Sequence, residues 1–131
     1  AYRGHPMSIS IKPAPPANAD KTMIRQVMLN LLGNAIKYSR VKEQSDVKFG
    51  GWSEPGRVVY YVQDNGVGFP MEQSKRLFEV FERLHPPEEF EGAGIGLATV
   101  KRIVRRHGGE VWAQSTINEG STFYFSIPIL S

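Results

Sequence analysis

Two pairs of strand-like runs, each joined by a very short link, constrain this chain more than any other feature. Residues 46–53 and 57–64 are separated only by Glu54, Pro55 and Gly56, and residues 110–116 and 121–127 flank a turn containing Asn118, Glu119 and Gly120. Links this short close antiparallel hairpins, whereas parallel neighbours need a crossover of roughly a dozen residues or more. The run at 57–64 is rich in β-branched and aromatic residues, as a half-buried strand requires. A doubly wound parallel sheet therefore fits this chain poorly.

Outside the hairpins the apolar period changes. Met7, Ile9 and Ile11 alternate along 7–12 and predict a half-buried strand, and a proline-rich connector of Pro13, Ala14, Pro15 and Pro16 comes directly after it. Ile24, Val27, Met28, Leu31, Leu32, Ala35 and Ile36 then recur at helical spacing, behind Asp20 as N-cap, and the helix is expected to end near Ser39. A glycine-rich turn at 65–68 leads to a short predicted helix over 70–78, with proline in its first turn. Residues 82–93 carry Pro86, Pro87 and four glutamates without periodicity and read as a mobile loop. A second long helix is predicted over 94–107, with Val100, Ile103 and Val104 on one side, Lys101, Arg102, Arg105 and Arg106 on the other, and Gly108 and Gly109 as its stop. This order predicts an α+β fold, a two-layer α/β sandwich whose mixed, largely antiparallel sheet is covered on one face by helices. At 131 residues a single domain over 1–131 is expected.

The absence of cysteine excludes a disulfide framework, a thiolate metal site and a cysteine nucleophile. A formal charge of +3 mildly favours an anionic ligand, and no apolar run approaches the roughly 18 to 20 residues that cross a bilayer, so the chain as given reads as soluble, without membrane contact. It begins with Ala1 rather than methionine, which suggests a fragment of a longer protein.

Three constellations carry chemistry. Asn30, Asn34 and Lys37 stand at i, i+4 and i+7, with Tyr38 one position further round. Asparagine is a mediocre helix former, so two of them in a helix interior suggest a functional role. An amide oxygen suits a hard cation such as Mg2+, and lysine suits phosphate. The same spacing also suits a plainly solvated face. Asp64, Asn65, Gly66, Val67, Gly68 and Phe69 lie where a buried strand ends. A carboxylate there can accept from an exocyclic amine, and Gly66 and Gly68 would let backbone approach a flat ligand, although Asp-Asn-Gly is also an ordinary turn sequence. Gly92, Ala93, Gly94, Ile95, Gly96 and Leu97 precede a helix whose N–H groups and dipole suit phosphate, or else form a hinge for the loop before them. The spacing is not that of a dinucleotide fingerprint or a Walker loop.

Taken in order, these motifs closely resemble the catalytic, ATP-binding domain of sensor histidine kinases, within the superfamily that also holds DNA gyrase, heat-shock chaperone and mismatch-repair ATPases. The resemblance covers nearly the whole chain: an N box at 30–39, a G1 box at 64–69, an F box at 78–81, a G2 box at 92–97, and a closing Gly120, Ser121, Thr122. The stretch from Phe81 to Gly109 is most similar to kinases of the bacterial phytochrome type.

The resemblance implies a Bergerat-type ATP-binding fold and ATP with Mg2+ as ligands. By it, Asp64 would recognise the adenine amino group with Gly68 behind it, Asn34 would bind Mg2+, and Asn30 would support the metal or the phosphates. Lys37 would contact phosphate, Tyr38 would lie against adenine, and residues 82–93 would form a lid from which Arg83 reaches the γ-phosphate. Gly66, Phe69, Gly92, Gly94, Ile95, Gly96 and Leu97 would complete the nucleotide cradle, and Thr122 would close the adenine pocket. Phe78 and Phe81 would anchor the lid or simply pack in the core. The hydrolysing relatives place a glutamate where this chain has Asn30, and an amide cannot take a proton from water. The implied catalytic set is thus Asn30, Asn34, Lys37 and Arg83, transferring the γ-phosphoryl group to a protein histidine in two-component signalling; a regulatory nucleotide-binding module without transfer is the alternative. His5, His85 and His107 are followed by Pro6, Pro86 and Gly108 and do not resemble the family's acceptor histidine, which is followed by an acidic residue. The expected partners are therefore the parent kinase's dimerisation and phosphoacceptor domain and, indirectly, a response regulator. The isolated domain is expected to be a cytoplasmic monomer that does not bind nucleic acid.

Overall fold

Asp20 starts the first helix as its residue type predicts: its carboxylate accepts from the Met23 N–H at 2.9 Å, satisfying a donor that the helix itself leaves unpaired. In the computed structural model, which describes residues 5–74, 76–79 and 95–129, this helix is α1 (Lys21–Ser39), preceded by strand β1 (Met7–Ile11). Strands β2 (Ser45–Glu54) and β3 (Arg57–Asp64) follow as a hairpin, then helix α2 (Ile95–Arg106) and the hairpin β4 (Val111–Thr116) and β5 (Gly120–Pro128). The five strands form one sheet in the order β1-β2-β3-β5-β4. β1 runs parallel to β2, and every other pairing is antiparallel.

One face of the sheet makes the core. Val27, Leu31 and Ala35 of α1 and Leu97, Val100 and Val104 of α2 pack on Val47, Val62, Phe123, Phe125 and Ile127. The helices run antiparallel, because Asn30 meets Gly96 at the start of α2 while Asp20 meets His107 just past its end. Among the described residues no helix covers the opposite face. Trp52, Tyr61, Tyr124 and Trp112, one from each of β2, β3, β5 and β4, pack ring to ring along it with centroids 5.3–6.3 Å apart, Trp112 stacked on Tyr124, Trp52 edge-on to Tyr124 and tilted against Tyr61.

Two expectations need correction. The β1 alternation is real, but Met7, Ile9 and Ile11 are 42%, 51% and 77% exposed. They share the face of Ser45, Val47 and Phe49, their respective partners in register, yet lie beyond the reach of the two helices. The segment after Pro70 is a 3-10 helix of only Met71–Gln73, continued by i to i+3 turns, not a helix to residue 78. Leu77 and Phe78 are drawn into the core there, so long-range packing overrides the local helical pattern.

Candidate functional site

The site gathers where β3 ends beside the C-terminal half of α1. Asp64 is 5% exposed, and its Oδ1 accepts from the Gly66 N–H at 2.7 Å. Burial pushes its carboxyl up to about 6, against which the backbone N–H groups of Gly66 and Ser121 pull it down. Among the described residues no cation is paired with it. A carboxylate held dry on two backbone donors is an acceptor awaiting a donor.

Glycine is required around it for packing within the protein. A Cβ on Gly66 would stand 2.6 Å from the Tyr38 carbonyl oxygen, and Gly68, at φ +69°, would place one 2.3 Å from the Thr116 carbonyl oxygen. These close passages lock the loop to its neighbours. The Val67 N–H donates to the Tyr38 carbonyl at 3.3 Å, the Asn118 N–H donates to the Val67 carbonyl at 2.7 Å, and Lys42 donates to the Asn118 carbonyl. The Asn65 side chain joins the loop to the start of β2, accepting from the Asp46 N–H at 2.9 Å and donating to the Gln44 carbonyl at 2.8 Å.

On α1, Asn34 is 6% exposed and its Nδ2 has no hydrogen-bond partner among the described residues. Such an orphan costs about 1–3 kcal/mol, so it marks a place where a ligand has something to supply. The carboxamide fits a Mg2+-nucleotide site, since it can offer oxygen to the cation or N–H to a phosphate. No cluster of three or more His, Cys, Asp or Glu able to hold a metal exists among the described residues, so water and phosphate oxygens would complete the shell. Asn30 ties α1 to the first turn of α2, its Nδ2 donating to the Gly96 carbonyl at 3.2 Å. Lys37 is half-buried, and both it and Tyr38 are engaged in contacts within the protein.

Two residues of the predicted cradle are part of the core, whereas Thr122 lines one cavity together with Asp64 and Ser121. Phe69 and Leu97 are core residues, 2% and 1% exposed, with Phe69 packed on Phe123 and its N–H on the Ser115 hydroxyl at 2.9 Å. Phe78 packs edge-on against Phe123. Thr122 lies opposite Gln63 on the open face of the sheet; the residue that shares Asp64's face is Ser121. Ser115 is a neighbour of this loop that the motifs do not reveal, and Ser121 belongs to the closing motif but is assigned no role there. Their hydroxyls lie 2.9 Å apart, and Ser115 also donates to the Gly120 carbonyl at 2.8 Å, bracing the loop beneath Asp64. Strand alternation outward from Phe123 and Phe125 would have singled out Ser121. Ile95 opens α2, its side chain outside the description, and Arg83, Gly92, Gly94, Phe81 and the rest of 80–94 lie outside the described residues.

Residues 19–131 match the family described as histidine kinase-, DNA gyrase B- and HSP90-like ATPases. The chain is 41% identical over 121 residues to the phytochrome-like protein Cph1 of Synechocystis, covering 92% of this chain and 16% of that protein. Across the first five curated relatives it spans only 15–29% of their length. The fold superposes on the mycobacterial sensor histidine kinase MprB with a TM-score of 0.80 at 25% identity, covering 93% of this chain and 83% of that one. It superposes on full-length ShkA, solved in complex with AMPPNP, with a TM-score of 0.78 at 31% identity, covering 95% and 26%.

Proposed function

The chain belongs to the histidine kinase-, DNA gyrase B- and HSP90-like ATPase family, and on that premise we propose that it binds Mg2+-ATP and donates the γ-phosphoryl group to a histidine on a separate dimerisation and phosphoacceptor domain. The phosphoryl group would then pass to a response regulator. The observation that carries this reading is Asp64, a buried carboxylate at the end of β3 that is paired with no cation among the described residues, held on backbone donors and ready to accept from an adenine amino group.

The residues divide the work. Asp64, at the end of β3, selects the base, and Asn34 of α1 offers the phosphates or their cation a buried amide that has no partner among the described residues. Asn30 acts as a strut that places the first turn of α2, whose glycine-bearing N-terminus suits phosphate. Mg2+, when bound through Asn34, supplies charge neutralisation on the phosphates. In the transfer an imidazole nitrogen attacks the γ-phosphorus, the bond to the β,γ-bridging oxygen breaks with its electrons staying on ADP, and the imidazole proton is released. Positioning and charge neutralisation carry most of such a step, and Lys37 and Arg83 are proposed to contribute the latter. With an amide at position 30, activation of water is not favoured, so hydrolysis without an acceptor is expected to be slow.

Calorimetric titration with AMPPNP, with and without Mg2+, on this chain and on Asp64→Ala tests the reading. Saturable, Mg2+-sensitive binding that disappears in the variant supports it, and transfer is then assayed by adding a histidine-bearing domain. Absence of binding by the intact chain overturns it.

A further inference from the structure

A cavity of about 340 Å3 opens at the far end of α1 from Asp64, between the proline-rich connector, the first two turns of the helix and the sheet. This volume lies at the lower end of the roughly 300–1,000 Å3 typical of small-molecule sites. Its floor is apolar and aromatic. Phe125 is buried there, Tyr60 stacks on it at 5.2 Å between centroids, and Phe49 stacks on Tyr60 at 6.2 Å. Ile24 and Met28 of α1 form the facing wall and are only half-buried although they pack on the core, because the cleft stays open beside them.

The opening is built into the chain. The connector is held over the sheet by polar ties, the Lys12 N–H donating to the Phe49 carbonyl at 2.7 Å and the Tyr60 hydroxyl to the Pro15 carbonyl at 2.5 Å. Past these ties it presents only alanines, Ala17 and Ala19, to the cavity, and these are too small to fill it. The Tyr60 hydroxyl spends its one hydrogen on Pro15, so the floor's aromatic side chains offer no free donor. Lys21 is the one charged residue among the described residues lining the cavity, and it stands exposed at the mouth. The neighbouring Asp20 carboxylate is occupied in capping α1.

From this arrangement we infer a second ligand site, separate from the nucleotide site, that takes a small amphipathic anion: an aromatic or short aliphatic body on the Phe49, Tyr60 and Phe125 floor, and a carboxylate at the Lys21 ammonium. The apolar body supplies most of the affinity by leaving water, and the ion pair at the mouth sets polarity and orientation.

The test is a two-dimensional NMR titration of the 131-residue chain with phenylbutyrate, its neutral amide, and phenylbutylamine. The site predicts saturable shifts of the Ile24, Met28 and Ile127 methyls, with none at Asp64 or Asn34, and affinity falling from acid to amide to amine. Binding of the acid should exceed that of the amide about threefold. Lys21→Gln, at an exposed position, should erase that preference while leaving the amide's affinity unchanged. Ala19→Phe should block all three probes, with the remaining resonances reporting an intact fold. Failure to saturate by about 10 mM, equal binding of acid and amide to the unaltered chain, or shifts centred on Asp64 would overturn the proposal. None of these outcomes depends on whether the chain binds ATP.

Discussion

Replacing Asp64 with asparagine should reveal what the nucleotide site costs the fold. The carboxyl is raised from 3.8 to about 6, principally by burial. A shift of about 2 pH units is worth about 3 kcal/mol, a substantial part of the roughly 5–15 kcal/mol that holds a domain together. Because the folded-state value lies above the unfolded-state value, the folded protein binds more protons between about pH 4 and pH 6. Stability is therefore highest below that window and falls as pH rises through it. The asparagine variant would keep the oxygen that accepts from the Gly66 N–H but could not ionise. Its new N–H groups add a constant offset, so the diagnostic quantity is the difference in unfolding free energy between the two proteins as a function of pH. Urea unfolding from pH 3.5 to 8, followed by circular dichroism, should show the wild type losing about 3 kcal/mol relative to Asp64→Asn across the window. A difference that stays flat, or that grows in favour of the wild type as pH rises, would refute the reasoning.

The same carboxylate should make nucleotide affinity pH-dependent: as an adenine amine requires the ionised acceptor, AMPPNP binding measured by calorimetry should weaken about tenfold per unit below pH 6. Gly68→Ala should destabilise by about 2–4 kcal/mol in thermal unfolding, because the position is at φ +69° and the new methyl would meet the Thr116 carbonyl. Asn34→Ala should abolish the Mg2+ sensitivity of AMPPNP binding while costing little stability, since the deleted amide already lacks a partner for its Nδ2 among the described residues; a loss of more than about 2 kcal/mol in urea would count against an orphan there. Asn30→Ala should weaken nucleotide binding by displacing the start of α2 without altering the Mg2+ requirement, a split that titrations with and without Mg2+ will read.

Much of this molecule is legible locally. The Asp20 cap, the apolar stripe of α1, both hairpins and the turn after Asp64 are each specified by a few adjacent residues whose preferences agree, and the structure forms them with boundaries displaced by about one or two residues. The placing of Asp64 at a strand end follows from that order.

What local pattern could not supply was anything that depends on a neighbour distant in sequence. Alternation told which residues of β1 share a face, but only the span of two helices decides that Met7, Ile9 and Ile11 stay exposed. Asn30 has the residue type of a ligand group, yet Gly96, 66 residues away, accepts its amide. Phe69 and Leu97 sit inside glycine motifs but serve the core, and Gly66 and Gly68 are glycine because Tyr38 and Thr116 come too close for a side chain. By itself, then, the sequence determined the elements, their order and the residue types able to hold a nucleotide, because those rest on short-range sterics and periodicity. Which of those residues face the site, which hold it together and which carboxylate becomes dry enough to change its chemistry was decided by tertiary packing alone, because desolvation and contact belong to the surroundings of a side chain and not to its place in the chain.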